Sequence, residues 1–597
     1  MNCYMGKILK VNLSEGNSKV ENINEEWLER YIGGKGLGFR YLLDETPVGA
    51  DPYSDENVLI FMTGPLCGTG VPTSSRLSII TKSPATGTIL DSYVGGNLGP
   101  EIKAAGYDAI VVRGEAEKPV YLYIEDERVE IRDARPFWGK GVFEAEEEIR
   151  KDLGKKRIRL ISIGPAGENR VKFACMTSNM RQAGRGGAGA VMGSKNLKSL
   201  VLLGHKKVKV HQEDAFRKMI RQITKEDVLT AQNLWARTDG TPGFISTAQE
   251  RGNIPTRNFQ YGVFENVTNL DAKAVNGKMK RRKACKHCPI GCARVMEVKG
   301  EEVEGPDYET IALAGANCGI GDLDAVIEFN FLCDTLGLDT ISTGNVIGFA
   351  MELTEKGIYD FGVTFGDVES YLKIPAEIAT LKGDRGKLLA KGVRQLGQEL
   401  KAVDYAQEIK GLELPGYDPR GSVGMGLGYA TSERGACHMR AFTLWAEAAN
   451  PYSIEGKEEI AITKQNRNSI KWSLILCDFW GIEAPLMAQI LSAATGKEFT
   501  GEELINMGER IWNLGRLFNV REGFRRKDDY LPPRILNEPL PTGPAANKVI
   551  TRQRWETLLS NYYHRRGWDK EGIPLKETIG RLNFDKLLLP KIENWIT

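Results

Sequence analysis

Cys285-Lys286-His287-Cys288-Pro289-Ile290-Gly291-Cys292 sets three cysteines at Cys-x2-Cys-x3-Cys spacing. Thiolates this close can occupy three corners of one metal centre, with the Pro-Ile-Gly turn bending the backbone around it. A tetrathiolate centre then needs a fourth ligand from elsewhere in the chain. Iron–sulfur clusters are held by cysteine thiolates with one ligand often remote, so the loop reads first as a [4Fe–4S] site. Zinc is the competing reading, although zinc sites usually pair two short cysteine knuckles or add histidines. A loop without metal is disfavoured, because exposed thiols beside Lys and His oxidise readily.

Other residues suit a polyanionic ligand. The chain's 66 glycines gather in discrete loops, where the backbone turns at positive φ or comes close to a ligand. Gly33-Gly34-Lys35-Gly36-Leu37-Gly38 has the look of a dinucleotide fingerprint, but no strand leads straight into it. Arg185 to Lys195 fails the phosphate-loop pattern, since Gly193-Ser194-Lys195 reverses the required Lys-Ser order. Ser92 to Gly99, holding Gly95, Gly96 and Asn97, is the third loop. A tight turn explains any one of them. Three such loops, with Arg76 and a metal site, favour a phosphate-bearing cofactor. His438, one of only five histidines, and Glu309 are acid–base candidates. Their ordinary alternatives are a structural imidazole and a carboxylate favoured at a helix N-terminus.

These residues need a large scaffold. At 597 residues the chain should form two to four domains. Its 41% hydrophobic and 26% charged content is ordinary for a globular protein, and a net charge of +2 argues against nucleic-acid binding. No apolar run approaches a membrane span, and no secretory leader is evident. Ten cysteines are too sparse for a disulfide scaffold and point to a reducing cytoplasm. Residues 1–208 read as β-rich, from runs such as Val58–Met62, Leu77–Ile80, Ala109–Val112, Arg159–Ile163 and Leu197–Gly204. Val120-Tyr121-Leu122-Tyr123-Ile124 suits an antiparallel strand with one half-exposed face. Helical character begins near Asp214 and includes Asp324–Leu336 and Asn345–Lys356. A turn-rich break at Leu414–Gly421 divides a middle domain, 209–415, from a last one, 416–597, with a loop-like stretch near 530–546. The expected fold class is α+β: a β-rich base followed by two mainly helical domains.

Taken in order along the chain, these motifs resemble the tungsten-containing aldehyde:ferredoxin oxidoreductase family. The resemblance rests on Gly33–Gly38, Gly64-Pro65-Leu66, Ser75-Arg76, Gly99-Pro100-Glu101, Ala183-Gly184-Arg185-Gly186-Gly187 and the cysteine triplet. Further along it adds Gly305-Pro306-Asp307-Tyr308-Glu309, Asp334-Thr335-Leu336-Gly337-Leu338-Asp339, Asp418-Pro419-Arg420-Gly421 and Arg434-Gly435-Ala436-Cys437-His438. It implies a bis-molybdopterin cofactor carrying tungsten, or molybdenum, resting on paired sheets. Asp334, Leu338 and Asp339 would bind one pterin. Arg76, Gly95, Gly96, Asn97 and the Ala183–Gly186 loop would hold phosphates bridged by Mg²⁺, a hard ion that takes phosphate oxygens. Arg434 and Arg440 would also serve the cofactor. Cys477 would close the cluster's ligand set, with Cys318, Cys333 and Cys437 as rivals.

The chain departs from the family pattern in three places. Before Cys477 it reads Trp472-Ser473-Leu474-Ile475-Leu476, which passes second-pterin contact to Lys471 or Asp478. Tyr93 stands where some relatives carry Asn near the bridging metal, with Asn97 as the candidate replacement. Glu328-Phe329-Asn330-Phe331 lacks the Glu-x-x-His of metal-bridged dimers, so that dimer is not expected, and a homodimer or hetero-oligomer stays open.

The implied reaction is RCHO + H2O → RCOOH + 2 e⁻ + 2 H⁺. Glu309 and His438 would move protons, and the cluster would pass electrons to ferredoxin or a small iron–sulfur subunit. The Lys278–Lys283 run is a candidate landing patch for such an acidic partner. Tyr417, Phe442, Trp445, Trp472, Phe479 and Trp480 hint at a pocket for a bulky substrate. Two alternatives are the catalytic subunit of an aryl-CoA (benzoyl-CoA-type) reductase and a non-catalytic electron-transfer subunit.

Overall fold

The computed structural model describes residues 2–596, apart from the side chain of Leu234. Alternation of apolar residues in short Gly- and Pro-bounded runs builds two six-stranded sheets. The first runs β2-β1-β6-β3-β4-β5, from β1 (Lys7–Asn12), β2 (Asn17–Asn22), β3 (Leu59–Met62), β4 (Leu77–Lys82), β5 (Ile89–Val94) and β6 (Ala109–Arg113). The second runs β11-β10-β9-β12-β7-β8, from β7 (Val120–Glu125), β8 (Arg128–Asp133), β9 (Arg159–Ser162), β10 (Met176–Ser178), β11 (Arg181–Ala183) and β12 (Leu197–Leu203). Edge strand β11 of one sheet packs on edge strand β5 of the other. A seam between two sheet edges is the floor on which the site stands.

The α+β class, with a β-rich base of two sheets preceding a mainly helical region, is borne out. Helices begin again at Glu213, and both helical regions share one apolar core running from Ala166 to Trp568. Two local expectations need correction. β7 is not half-exposed: Tyr121 and Tyr123 are buried beneath the helix Val142–Leu153, and only their hydroxyls escape, toward Asp152 and Glu125. The β-rich part also contains helices over Gly34–Glu45 and Leu98–Ala105, and the loop-like stretch near 530–546 contains a short one over Pro533–Asn537.

Among the described residues no single helix is long and apolar enough to cross a membrane. One bent pair, Tyr308–Cys318 with Leu323–Leu336, turns through 117° and contributes its apolar residues to the core.

Candidate active site

One cavity of about 990 Å³ lies over the sheet seam and under the helices. Its walls come from distant parts of the chain. Register pairing of Leu77 with Val94 puts Arg76 and Gly95 side by side at the ends of β4 and β5. β11 contributes Arg181 and Gln182, and the turn beyond it Gly184 and Arg185. Asp334 sits in the last turn of helix Leu323–Leu336, which Gly337 ends in the left-handed region at φ 77°. Asp339 caps the next helix, Thr340–Glu355, accepting from the amides of Ile341 and Ser342. Asp-x-x-Gly-Leu-Asp is therefore a helix end, a turn and a helix start, a compact way to aim two carboxylates at one place.

At one end of the cavity Cys285, Cys288, Cys292 and Cys477 all line the wall. The Gly96 amide donates to Cys285 Sγ at 3.1 Å, Arg76 to Cys477 Sγ at 3.0 Å, and Arg181 reaches Cys292 Sγ at 3.8 Å. A Cβ on Gly95 would stand 3.0 Å from Cys285 Sγ, a tight contact that a side chain there would make only by shifting the sulfur. Arg76 also faces Asp478 at 3.7 Å. Burial alone would lower its pKa, but the neighbouring Cys477 and Asp478 charges outweigh it and hold the guanidinium firmly charged. Burial pushes the Cys288 thiol up to about 11 and the Cys292 thiol to about 12, the latter opposed by Arg181. Among the described residues no three His, Cys, Asp or Glu side chains converge to hold a single ion.

At the other end Glu309 and His438 face each other, with Oε1 3.4 Å from Nδ1. Glu309 Oε2 accepts from the Gly416 amide at 2.8 Å, while Oε1 and Nδ1 have no hydrogen-bond partner. A Cβ on Gly416 would meet Ala312 at 2.9 Å and Tyr308 at 3.0 Å, so glycine is what lets this amide reach the carboxyl. Burial raises Glu309 to about 8, against the Gly416 bond. Burial, and then Arg185, Arg434 and Arg440, holds His438 well below its ordinary value. At neutral pH both groups are uncharged. Trp235, Phe244, Tyr308, Tyr417, Phe442 and Trp445 wall this end.

The remaining expected site residues divide between the cavity wall and the core around it. Lys471, lowered to about 8 by burial against Asp478, and Asp478 line the cavity, and Lys471 Nζ donates to the Trp480 carbonyl. Asp334, held neutral by burial, is hydrogen-bonded to Gln182 and Asn330. Leu338 and Ala183 are buried behind the wall, and Gly186 packs against Leu90. Asn97 does not replace Tyr93, because it heads the helix Leu98–Ala105 and faces a separate groove. Arg434 and Arg440 do not line the cavity. They lie behind Tyr93 in a buried network with Asp91, Glu433 and Lys35, where opposite charges compensate one another. Trp472 and Trp480 are core residues beneath the wall. Cys318 and Cys333 are buried away from the cavity. Cys437 is also buried outside the cavity lining, where Arg434 donates to its sulfur at 3.0 Å. Sequence reasoning missed Arg181, Gln182, Glu304, Thr73 and Arg467. The first two immediately precede the Ala183–Gly186 loop, which was the available signal.

The cavity is poised for a large polar ligand. Thr73 Oγ1, Glu304 Oε2 and Arg467 Nε are buried without a hydrogen-bond partner, and all three residues line it. Buried polar atoms without partners are costly and call for an occupant.

Known proteins place the chain. The aldehyde ferredoxin oxidoreductase N-terminal domain model matches residues 8–204, and the model of domains 2 and 3 matches residues 214–584. A tungsten-containing aldehyde ferredoxin oxidoreductase of Pyrococcus abyssi is 42% identical over 610 residues, covering 98% of this chain and 100% of that one. A WOR-like subunit of an aliphatic sulfonate oxidoreductase from Pyrococcus furiosus is 34% identical over 630 residues, covering 98% and 97%. Among solved structures, the BamBC active site complex of benzoyl coenzyme A reductase with 1,5-dienoyl-CoA matches at a TM-score of 0.86 and 25% identity, over 100% of this chain and 99% of that one. The protein is an oxidoreductase. It belongs to the aldehyde ferredoxin oxidoreductase family.

Proposed function

We propose that this protein oxidises aldehydes to carboxylic acids and passes the electrons to ferredoxin or an iron–sulfur partner. The observation that carries the reading is the single cavity with four thiols at one end and the neutral Glu309–His438 pair at the other. Cys285, Cys288, Cys292 and Cys477 would hold a [4Fe–4S] cluster. A single zinc would draw its sulfurs to about 2.3 Å from one point, whereas a cubane takes thiolates at separate corners. Arg76, Gly95, Gly184, Arg185, Asp334 and Asp339 would hold a pterin and Mg²⁺-bridged phosphates, with Lys471 and Asp478 toward a second pterin. When bound, the tungsten bis-pterin supplies a two-electron acceptor and the cluster a one-electron relay.

The chain's own residues manage water and protons. The aromatic wall holds the organic part of an aldehyde, and Glu309 with His438 faces its carbonyl. Below pH about 8 the Glu309 carboxyl keeps its proton and can donate a hydrogen bond to the carbonyl oxygen. Once ionised it can accept a proton from water, and its raised pKa suits that task near neutrality. Neutral His438 Nδ1, 3.4 Å away, orients that carboxyl, and its depressed basicity leaves the proton on Glu309. Cytoplasmic placement follows from the same reading, since half-buried cluster thiols need a reducing setting.

Anaerobically purified protein should contain about four iron atoms per chain and about one of tungsten or molybdenum, and should reduce a viologen with aldehyde. Zinc without iron would end this reading. A second reading, reduction of an aromatic thioester, draws on the match to BamBC and the aromatic wall. Turnover of benzoyl-CoA with no turnover of any aldehyde would establish it instead.

A further inference from the structure

The Lys278–Lys283 run is mostly ion-paired, Lys278 with Asp324, Lys280 with Glu297 and Arg281 with Glu302, while Arg282 donates to the Thr238 carbonyl and Lys283 to Asn179. A second surface beside the cysteine loop keeps more of its cations unpaired. A groove of about 580 Å³ is lined by Arg150, Lys151, Lys155, Lys156 and Arg159 against one carboxylate, Glu147. Lys151 pairs with that Glu147, and Lys155 with Glu125. Lys156, Arg159 and the nearby exposed Lys286 have no ion-pair partner among the described residues. Two direct links join groove and loop. Asn97 lines the groove, and its neighbour Gly96 accepts from the Lys286 amide at 3.1 Å and donates to Cys285 Sγ at 3.1 Å. Asn179, also in the groove wall, accepts from Lys283 Nζ at 2.8 Å. A partner seated there would lie about one peptide from a cluster sulfur.

We propose that this groove, rather than the Lys278–Lys283 run, docks an acidic iron–sulfur electron carrier. The proposal rests on the aldehyde-oxidising reading. Each oxidation, RCHO + H2O → RCOOH + 2 e⁻ + 2 H⁺, reduces two one-electron carriers in turn. Unpaired cations in the groove that adjoins the cluster loop steer an acidic partner to the place where electrons leave.

The test uses holoenzyme of the wild type, a groove variant (Lys156→Glu with Arg159→Glu) and a run variant (Lys280→Glu with Arg281→Glu). Calorimetry gives Kd for an acidic bacterial ferredoxin at low and high salt, and turnover is measured with that ferredoxin and with methyl viologen. In the groove variant, Kd and KM for ferredoxin should rise about tenfold or more at low salt, converge with the wild type at high salt, and leave the viologen rate unchanged. The run variant should shift neither by more than about twofold. A milder Lys156→Gln, Arg159→Gln pair should show part of the loss. Unchanged ferredoxin affinity in the groove variants, or the loss appearing in the run variant, overturns the proposal. So does groove-dependent binding of a single-stranded oligonucleotide with no binding of ferredoxin. A wild type that turns over aldehyde with viologen but ignores ferredoxin sinks the docking site and spares the chemistry. Ferredoxin binding through the groove without aldehyde turnover sinks the chemistry and supports the docking site.

Discussion

The two ends of the central cavity are both buried, yet they solve the electrostatic problem in opposite ways. At the thiol end the cations keep their charge: Arg76 and Arg181 stand against Cys477 and Cys292, and neighbouring acidic groups offset the desolvation of the guanidiniums. At the Glu309–His438 end charge is given up, because no cation contacts the carboxyl and burial leaves both groups neutral. A centre that only relays electrons benefits from fixed compensating charge. A centre that moves protons needs groups whose charge can change near the working pH.

That contrast can be broken most completely at the thiol end. Cys477→Ala should bring iron from about four atoms per chain to a small remainder and abolish dye reduction. Iron analysis with retention of the full complement would mean that another residue closes the ligand set.

At the other end, Glu309→Gln should lower kcat by roughly 10²–10⁴ while iron content stays intact. The sign of its pH dependence follows from the raised pKa of about 8. The carboxyl is protonated below that value, so a rate limited by its base form rises through pH 8 and levels above it. In the variant that limb should vanish. A wild-type profile flat from pH 6 to about 9 would remove Glu309 from proton transfer.

Arg76→Met sharpens the comparison, since it strips compensating charge from Cys477 and Asp478 without deleting a ligand. Outer partners of metal ligands are worth about 10–100-fold in affinity, so iron should be lost faster to a chelator by such a factor. If the catalytic pH limb moved as well, the two ends would be coupled through the cavity rather than separate.

Phe442→Ala should be the smallest change. Removing part of the aromatic wall should lower kcat/KM for a benzaldehyde about tenfold and for acetaldehyde less, since a pocket contact is worth about 1–3 kcal/mol. Equal losses for both would place Phe442 in structural packing.

Much of this was legible in the order of residues. Cys285, Cys288 and Cys292 are local, so spacing alone brought them together. The helix ending at Leu336 was legible too, whereas the next one starts at Thr340 rather than at the expected Asn345, because the Asp339 side chain caps it. Strand-length apolar runs located most of the two sheets. Legibility failed where a second element decided the environment, as for Tyr121 and Tyr123, whose burial depends on a helix about twenty residues away in sequence. It failed also for Arg434 and Arg440, whose placement depends on Asp91, more than 340 residues distant in the chain.

The sequence by itself determined the chemistry available, because residue type sets which groups can bind metal, carry charge or exchange a proton, and short spacing sets which neighbours act together. Only the tertiary structure decided that Cys477 joins Cys285, that Glu309 meets His438, and that the guanidiniums at the thiol end stay charged while the Glu309–His438 pair turns neutral. Those outcomes depend on distance and dielectric, which exist only once remote segments have closed around one cavity.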